Sequence, residues 1–376
     1  MSFTLIHKDK NSSARLGRLE TSRGVIDTPI FMPVATQASV KALTKRDLEE
    51  SKARIILANA YHLFLRPGLE VIKNAGGLHK FMNWNGPILT DSGGYQVFSL
   101  ARFRKVKDIG VEFQSHIDGA KHLLRPEDVI DIQDVLGSDI LMPLDECVDY
   151  PSTRDKVTIA LERTVRWALR SKKQFEKLGN NESQGKKRLL FGIVQGATYS
   201  DLRKRCAEEL VSIGFDGYSI GGISVGEPKD LMYNMVRLTC EHLPKDFARY
   251  LMGVGTPQDI ISAVESGVDM LDCVIPTRYG RNGTAFTSRG KLIVRNAPCI
   301  NDLGPIDTEC SCFVCKDFSR SYIRHLFNTA EILGPMLVSY HNIYYYLNLM
   351  SSIRQAIKED RFSEFKKELL DRYNNN

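Results

Sequence analysis

Residues 189–196 read LLFGIVQG: six positions with no charged or strongly polar side chain, then a glutamine and a glycine. A strand with one face in water alternates apolar and polar residues. An unbroken apolar run this short fits a strand covered on both faces, as in a parallel sheet. The pattern recurs at IFMPVAT (30–36), RIILANAY (54–61), PILTDSGG (87–94), DILMPLDEC (139–147), GYSIGGIS (217–224), RYLMGVG (249–255) and MLDCVIP (270–276). Amphipathic stretches with helix starts lie between most of these runs. TPQDIISAVESG offers Thr256 as N-cap, Pro257 at the first helical position and Gly267 as a stop. RPEDVIDIQDVLG, STRDKVTIALERTVRWALRSKKQFEKLG and EPKDLMYNMVRLTCEHL are segments of the same kind. Eight strands alternating with helices predict a (β/α)8 TIM barrel over residues 30–280.

What remains falls outside that repeat. Residues 1–29 read as a β-rich leader with a turn at TSRG, and residues 97–125 as an insertion between the third and fourth barrel strands. In the insertion, VEFQSHIDGAKHLL predicts a hairpin turning at Asp118-Gly119. Residues 281–376 carry a cysteine cluster and a final helical region, expected to pack on the barrel as a subdomain, and KLGNNESQGKKR (177–188) reads as a flexible loop. The 376 residues are 43% hydrophobic and 26% charged, a globular composition, and no apolar run approaches the roughly 18 residues of a membrane span. MSFTLIHKDK has no long apolar core, which argues against a secretory signal. Eight cysteines in so long a chain then read as reduced cytoplasmic thiols rather than a disulfide framework. The net charge is +6, and five basic residues with no acid occupy TRYGRNGTAFTSRGKLIVR (277–295); Arg102, Arg104, Lys105 and Lys107 form a second cluster. Such patches suit phosphate, although either one alone also fits a solvated surface.

Nearly every apolar run ends in a polar residue or glycine that packing does not require: Asn59, Asp91, Asp145, Gln195, Gly221 with Gly222, Gly253 with Gly255, and Asp272. Singly, each is a plausible cap or turn. In a barrel these ends converge on one mouth, where three carboxylates and two carboxamides from different strands predict an enzyme site.

CSCFVC (310–315) gathers three cysteines in six positions. Cys310, Cys312 and Cys315 are the soft ligands zinc favours, and a structural site is closed by four. Cys299, His325 and His341 are the candidates for the fourth ligand.

TDSGGYQVFS (90–99), DILMPLDEC (139–147), GGISVGE (221–227), LMGVGTP (251–257) and DCVIPTRYGRNG (272–283) occur together and in this order. With them the chain resembles, along practically its whole length, the bacterial tRNA-guanine transglycosylases of the queuine tRNA-ribosyltransferase family. The resemblance implies exchange of guanine for 7-aminomethyl-7-deazaguanine at the wobble position of GUN-type tRNAs, in queuosine biosynthesis. The route is a double displacement through a covalent enzyme–tRNA intermediate, the logic of a retaining glycosidase. By the same resemblance Asp272 is the nucleophile and Asp91 the general acid/base. Asp145 accepts from the guanine N1–H and N2–H₂ donors, while Gln195 and the Gly222 amide meet O6, with Gly221 beside it. Ser92, Gly93 and Gly94 belong to the base-binding motif, Tyr95 and Met252 sandwich the flipped base, Cys147 lines the pocket and Glu227 faces the 7-substituent. On its own Met252 would read as a core methionine and Cys147 as a buried thiol. Val225 stands where relatives using the bulkier queuine carry glycine, and the archaeal branch carries further C-terminal domains for which a chain ending at 376 leaves no room.

Gly253, Val254, Gly255, Thr256, Pro257, Gln258 and Asp259, with Thr277, Arg278, Tyr279, Gly280 and Arg281, are implied to meet tRNA. His341 is implied to close a site for one structural zinc ion per subunit, and a homodimer is expected. Two other readings separate by simple tests. A non-catalytic RNA-binding homologue would lack the aspartates present at 91 and 272, and a nucleoside hydrolase would release free ribose.

Overall fold

The computed structural model describes residues 2–100, 103–179 and 187–374. Three antiparallel leader strands, β1 (Phe3–Lys8), β2 (Arg15–Thr21) and β3 (Gly24–Thr28), form a sheet in that order. Then come β4 (Ile30–Ala35), β5 (Ile56–Asn59) and β6 (Ile88–Asp91), before an inserted sheet of β7 (Arg104–Lys107), β8 (Gly110–Gln114) and β9 (Lys121–Leu124). The chain continues with β10 (Ile140–Leu141), β11 (Leu189–Val194), β12 (Gly217–Ile220), β13 (Ala248–Leu251) and β14 (Met270–Cys273). The barrel closes in the order β10-β11-β12-β13-β14-β4-β5-β6, all parallel. These are the eight apolar runs.

β11 shows why the runs are continuous. Leu189, Phe191 and Ile193 point into the barrel interior with Met32, Leu57, Leu89, Tyr250 and Met270. Leu190 and Val194, at the alternate positions, pack outward beneath the helices. Both faces are dry, so neither selects polar residues. At the barrel's N-terminal end, Phe3, Leu19 and Ile26 of the leader complete the inner core. Arg15 of β2 locks them there, donating to Asp269 at 3.0 and 2.5 Å and to the carbonyls of Lys245 and Phe247. The opposite end stays open.

Helix boundaries follow their capping chemistry. Pro257–Glu265 begins where Thr256 accepts from the Asp259 N–H at 3.2 Å and stops at Ser266, with Gly267 at φ +92° behind it. Pro126–Leu136 ends at left-handed Gly137, and Arg154–Lys177 and Lys229–His242 fill the other predicted stretches. The inserted hairpin is present, but β7 joins it as a third strand. Its sequence, RKVK, has no buried face to betray it. The loop read over 177–188 and Arg102 lie largely or wholly outside the described residues.

After β14, helix Ile275–Arg281 leads to the hairpin β15 (Thr284–Thr287)–β16 (Gly290–Ile293), the cysteines and helices Arg320–Asn328, Leu333–Lys358 and Phe362–Asn374. The long helix is fastened by polar side chains. Asn342 donates to the carbonyls of Pro276 and Thr284 and accepts from the Phe286 N–H, each at 2.9 Å, while Tyr346 donates to the Gly255 carbonyl at 2.6 Å. Gly280 permits this closeness, since a Cβ there would stand 2.7 Å from the Ser339 Cα. Among the described residues no helix is long and apolar enough to cross a membrane.

Candidate active site and metal centre

The C-terminal ends of the barrel strands surround a cavity of about 400 Å³. Into it come Asp91 from β6, Asp145 after β10, Gln195 after β11, Gly221 and Gly222 after β12, Met252 and Gly253 after β13, and Asp272 from β14. Residues far apart in sequence meet because parallel strands all end at the same rim.

Asp91 and Asp272 are buried, at 8% and 9% exposure, and among the described residues neither is paired with a cation. Asp91 is gripped by neutral donors: the Asn59 carboxamide on Oδ2 and the Ala60 N–H on Oδ1 at 2.9 Å. Burial pushes its carboxyl up to about 7, the charge of Asp272 adds to that, and the Asn59 and Ala60 bonds oppose it. Asp272 receives the Tyr250 hydroxyl at 2.6 Å and the Gly253 N–H at 2.8 Å, both on Oδ1. Burial raises its pKa too, and these two bonds resist the rise. Tyr250 is itself pushed well above its ordinary value by burial and the nearby Asp272 charge, so it stays a donor.

The residues expected to read the base form a second wall. Asp145 receives the Gln195 amide on Oδ2 at 2.7 Å and the Ser92 hydroxyl on Oδ1 at 3.2 Å; burial lifts it to about 6 against those bonds. Gly94 makes room for it, since a Cβ at 94 would lie 2.9 Å from Asp145 Oδ1. Gly222 sits at φ +63° with its missing Cβ directed 2.1 Å from Gln195 Oε1, so a side chain there would be strained and would push the Gln195 carboxamide out of place. Gly93, also left-handed, packs against Tyr61. Tyr95 is 55% exposed at the rim, and Met252 is half-buried across the cavity. Cys147 lines the wall with its thiol pushed up to about 12 by burial, a neutral contact rather than a nucleophile. Glu227 stands back from the lining and accepts from the N–H groups of Ser224 and Val225, fixing the loop that carries Val225 into the cavity.

The stretch 253–259 divides. Gly253 is exposed and Thr256 and Gln258 half-exposed, but Val254, Gly255, Pro257 and Asp259 are buried. Asp259 holds Thr256, Lys229 and Tyr233, so it shapes the loop from within. In helix Ile275–Arg281, Arg278 and Arg281 are exposed, Tyr279 is half-buried, and Thr277 and Gly280 face the long helix.

Cys310, Cys312, Cys315 and His341 present ligand atoms all within 4.8 Å of one another. His341 Nε2–H donates to the Phe286 carbonyl at 2.8 Å, which leaves Nδ1 for the thiols, 3.5 Å from Cys312 Sγ and 3.3 Å from Cys315 Sγ. An imidazole oriented through its second nitrogen is how metal-binding histidines are held. Three sulfurs and that nitrogen can hold a metal ion. Cys299 and His325, the other candidates, are not in the cluster, and His325 is exposed.

Three neighbours escaped sequence reading. Asn59 showed itself as a polar strand end, but not as the grip on Asp91. Tyr250 sits within an apolar run and reads as core. Gln96 lies on Asp91 with its Oε1 buried and unpartnered, and nothing in GGYQVFS marks it out.

A family model described as Queuine tRNA-ribosyltransferase matches residues 9–375. The queuine tRNA-ribosyltransferase of Caldanaerobacter subterraneus subsp. tengcongensis is 58% identical over 374 residues, covering 100% of this chain and 98% of that protein. That of Halothermothrix orenii is 56% identical over 375 residues (100% and 98%), and that of Lysinibacillus sphaericus 52% over 371 (99% and 96%).

Proposed function

The chain belongs to the queuine tRNA-ribosyltransferase family, and on that premise we propose how its barrel mouth carries out base exchange. It is a tRNA-guanine transglycosylase of queuosine synthesis. The observation that carries the mechanism is the Asp272 carboxylate, whose Oδ1 is fixed by Tyr250 and Gly253, leaving Oδ2 as the attacking oxygen in a cavity shared with Asp91. Oδ2 bonds to the ribose C1′ as the bond to guanine N9 breaks, and the departing electron pair goes to the purine. Asp91, poised near 7, supplies the proton that guanine takes away. The incoming base returns a proton to the Asp91 carboxylate, its N9 attacks C1′, and the ester to Asp272 breaks.

Asp145 and Gln195, already bonded to each other, present the acceptor and donor that the guanine N1–H/N2–H₂ and O6 edge requires. Val225 narrows the side of the cavity where a 7-substituent points, which favours 7-aminomethyl-7-deazaguanine over a bulkier base. Arg278 and Arg281 offer cations to the tRNA anticodon loop from the exposed face of a helix that begins three residues after Asp272. We assign zinc to the Cys310/Cys312/Cys315/His341 cluster. The soft donor set and anchored imidazole fit it, and its chemistry there is to hold the C-terminal segment in place. A homodimer fits the exposed Leu303 and Tyr322, which share a surface depression beside Cys315. Cysteines that pair in no disulfide among the described residues fit the cytoplasm.

Incubation with labelled guanine and unmodified tRNA tests the reading. Label should enter the intact tRNA at the wobble position. Release of free ribose, or no incorporation, would overturn it.

A further inference from the structure

Arg203 lies on helix Ser200–Ile213 at 0% exposure, the most deeply buried arginine beside the active-site wall. Among the described residues no carboxylate is bonded to it. Nε donates to the Ala197 carbonyl at 2.6 Å, Nη2 donates to the Gly221 carbonyl at 2.9 Å, and Nη1 finds no acceptor among the described residues. Burying an arginine this way is expensive unless its charge is used. Burial draws it down to about 10, still protonated at neutral pH, with Cys206 first and then Glu227 working in the other direction.

Its two acceptors are the informative part. Ala197 closes the turn that follows Gln195, a turn tight enough to place Ala197 at φ +47°, and a Cβ at Gly196 would stand 2.7 Å from the Arg203 backbone nitrogen and 3.0 Å from its Cγ, so the turn packs directly on Arg203. Gly221 contributes the carbonyl of the peptide group whose N–H belongs to Gly222. In a trans peptide the two ends point in opposite directions. With the carbonyl end on the guanidinium, the Gly222 N–H turns toward the cavity that Gly222 lines. The guanidinium, the Gly221 carbonyl and the Gly222 N–H therefore form one chain of aligned dipoles with a full positive charge behind it. Hydrogen bonds in such a chain strengthen one another.

We propose that Arg203 is a positioning residue for base exchange, relaying its buried charge through the Gly221–Gly222 peptide onto the O6 edge of the purine while holding Gln195 in register beside it. The inference rests on the base-exchange reading. Its consequence is electrostatic: guanine leaves C1′ with an extra electron pair, part of which resides on O6. A charge-backed donor favours that state more than it favours the bound ground state. No cation needs to enter the cavity, where it would neutralise Asp91 and Asp272.

The test compares guanine with 2-aminopurine, which lacks O6, as ligands of the full chain. Each is measured by competition against labelled guanine in wild type, Arg203→Gln and Arg203→Lys, after circular dichroism confirms folding. Wild type should prefer guanine; absence of that preference removes the base-exchange reading itself, whatever the variants do. In Arg203→Gln the preference should shrink about tenfold, the size expected when a charge-assisted hydrogen bond is lost. The kcat for exchange should fall by more than the guanine KM rises. In Arg203→Lys the preference should shrink by a smaller factor, because an ammonium cannot span both carbonyls as the planar fork does. The changed pairing of 2-aminopurine N1 with Asp145 is common to all three proteins and cancels in the comparison. If Arg203→Gln does not fold, Arg203→Lys decides. Equal weakening of both bases, or an unchanged preference in a folded variant, would show that Arg203 merely supports the wall.

Discussion

The two ends of the barrel bury carboxylates in opposite ways. At the closed end, Asp269 takes both arms of Arg15 and the Arg249 N–H, and Asp139 takes His79 at 3.0 Å, the Ile88 N–H at 2.8 Å and the Ser22 hydroxyl at 2.7 Å, with Arg23 nearby. At the mouth, the donors to Asp91, Asp145 and Asp272 among the described residues are all neutral: amides, hydroxyls and backbone N–H groups. The first arrangement sets cations against the charge and ties leader to barrel, with Arg15 opposing the rise that burial imposes on Asp269. The second leaves charge poorly compensated and lifts Asp91 and Asp145 into the range where they exchange protons near neutral pH. On the proposed mechanism the same residue type serves stability at one end and reactivity at the other, and the partner decides which.

The comparison is most exposed to breaking at Asp272. An amide oxygen carries no charge and is a far poorer nucleophile. Asp272→Asn should bind tRNA yet show no covalent adduct on a denaturing gel, with turnover down by at least about 10⁴-fold. Asp91→Asn should also lose turnover, but its adduct should form slowly and resolve slowly, because proton transfer and not attack is impaired. A gel-stable adduct in Asp272→Asn and none in Asp91→Asn would exchange the two roles.

The closed end should answer in stability instead. Arg15→Met strands Asp269 in a dry site with its ion-pair partner gone; the pair's side chains are 4% and 0% exposed. Such a break costs about 3–5 kcal/mol. Denaturant unfolding should show that loss, while kcat of the protein that remains folded stays near wild type. A large fall in kcat without a change in unfolding midpoint would mean that the two ends are not separate in function.

Much of this contrast was open to sequence reading because it depends on the barrel repeat. Eight apolar runs, each covered on both faces, give away the strands, and the polar residues that end them give away the mouth. What stayed hidden were partners. Tyr250 looks like core because its ring is core; only its hydroxyl reaches Asp272. β7 was missed since an exposed RKVK strand has no period to detect. Arg203 carried one usable signal. It occupies the apolar stripe shared by Cys206, Ala207 and Leu210, a poor place for a charge unless something uses it. The fourth metal ligand could not be chosen by spacing, because helix Leu333–Lys358 returns His341 to the cysteines through tertiary packing alone.

A pH series sharpens the comparison further. Adduct formation needs Asp91 protonated, so its single-turnover rate should fall about tenfold per unit above about pH 7. Transfer to the incoming base needs the carboxylate and should fall by the same factor below that point. Guanine affinity should weaken below about pH 6 as Asp145 gains a proton and ceases to accept from N1–H. Stability carries the same signature. A carboxyl whose pKa is raised by folding takes up a proton on folding, so stability is lost as pH climbs from its ordinary value, 3.8, to about 7. Asp91→Asn should therefore be more stable than wild type at pH 8 and similar to it near pH 4, as read by urea unfolding. A variant less stable than wild type at pH 8 would make Asp91 a structural residue like those at the closed end.

The smallest effect should appear just outside the mouth, where cations are allowed. Arg281 is exposed at the end of helix Ile275–Arg281, with its Nε on the Thr277 carbonyl at 3.1 Å and no carboxylate bonded to it among the described residues. The mouth keeps positive charge off its reacting carboxylates but places it on the rim, where the phosphates of an anticodon loop would pass. Arg281→Ala should weaken tRNA binding a few-fold at about 0.1 M salt and lower the slope of log K against log salt by about one contact. Affinity for free guanine should not move, because the helix end lies beyond the residues that read the base. If guanine and tRNA weaken together, Arg281 is holding the wall of the mouth, and the division between a cation-free interior and a cationic rim fails there.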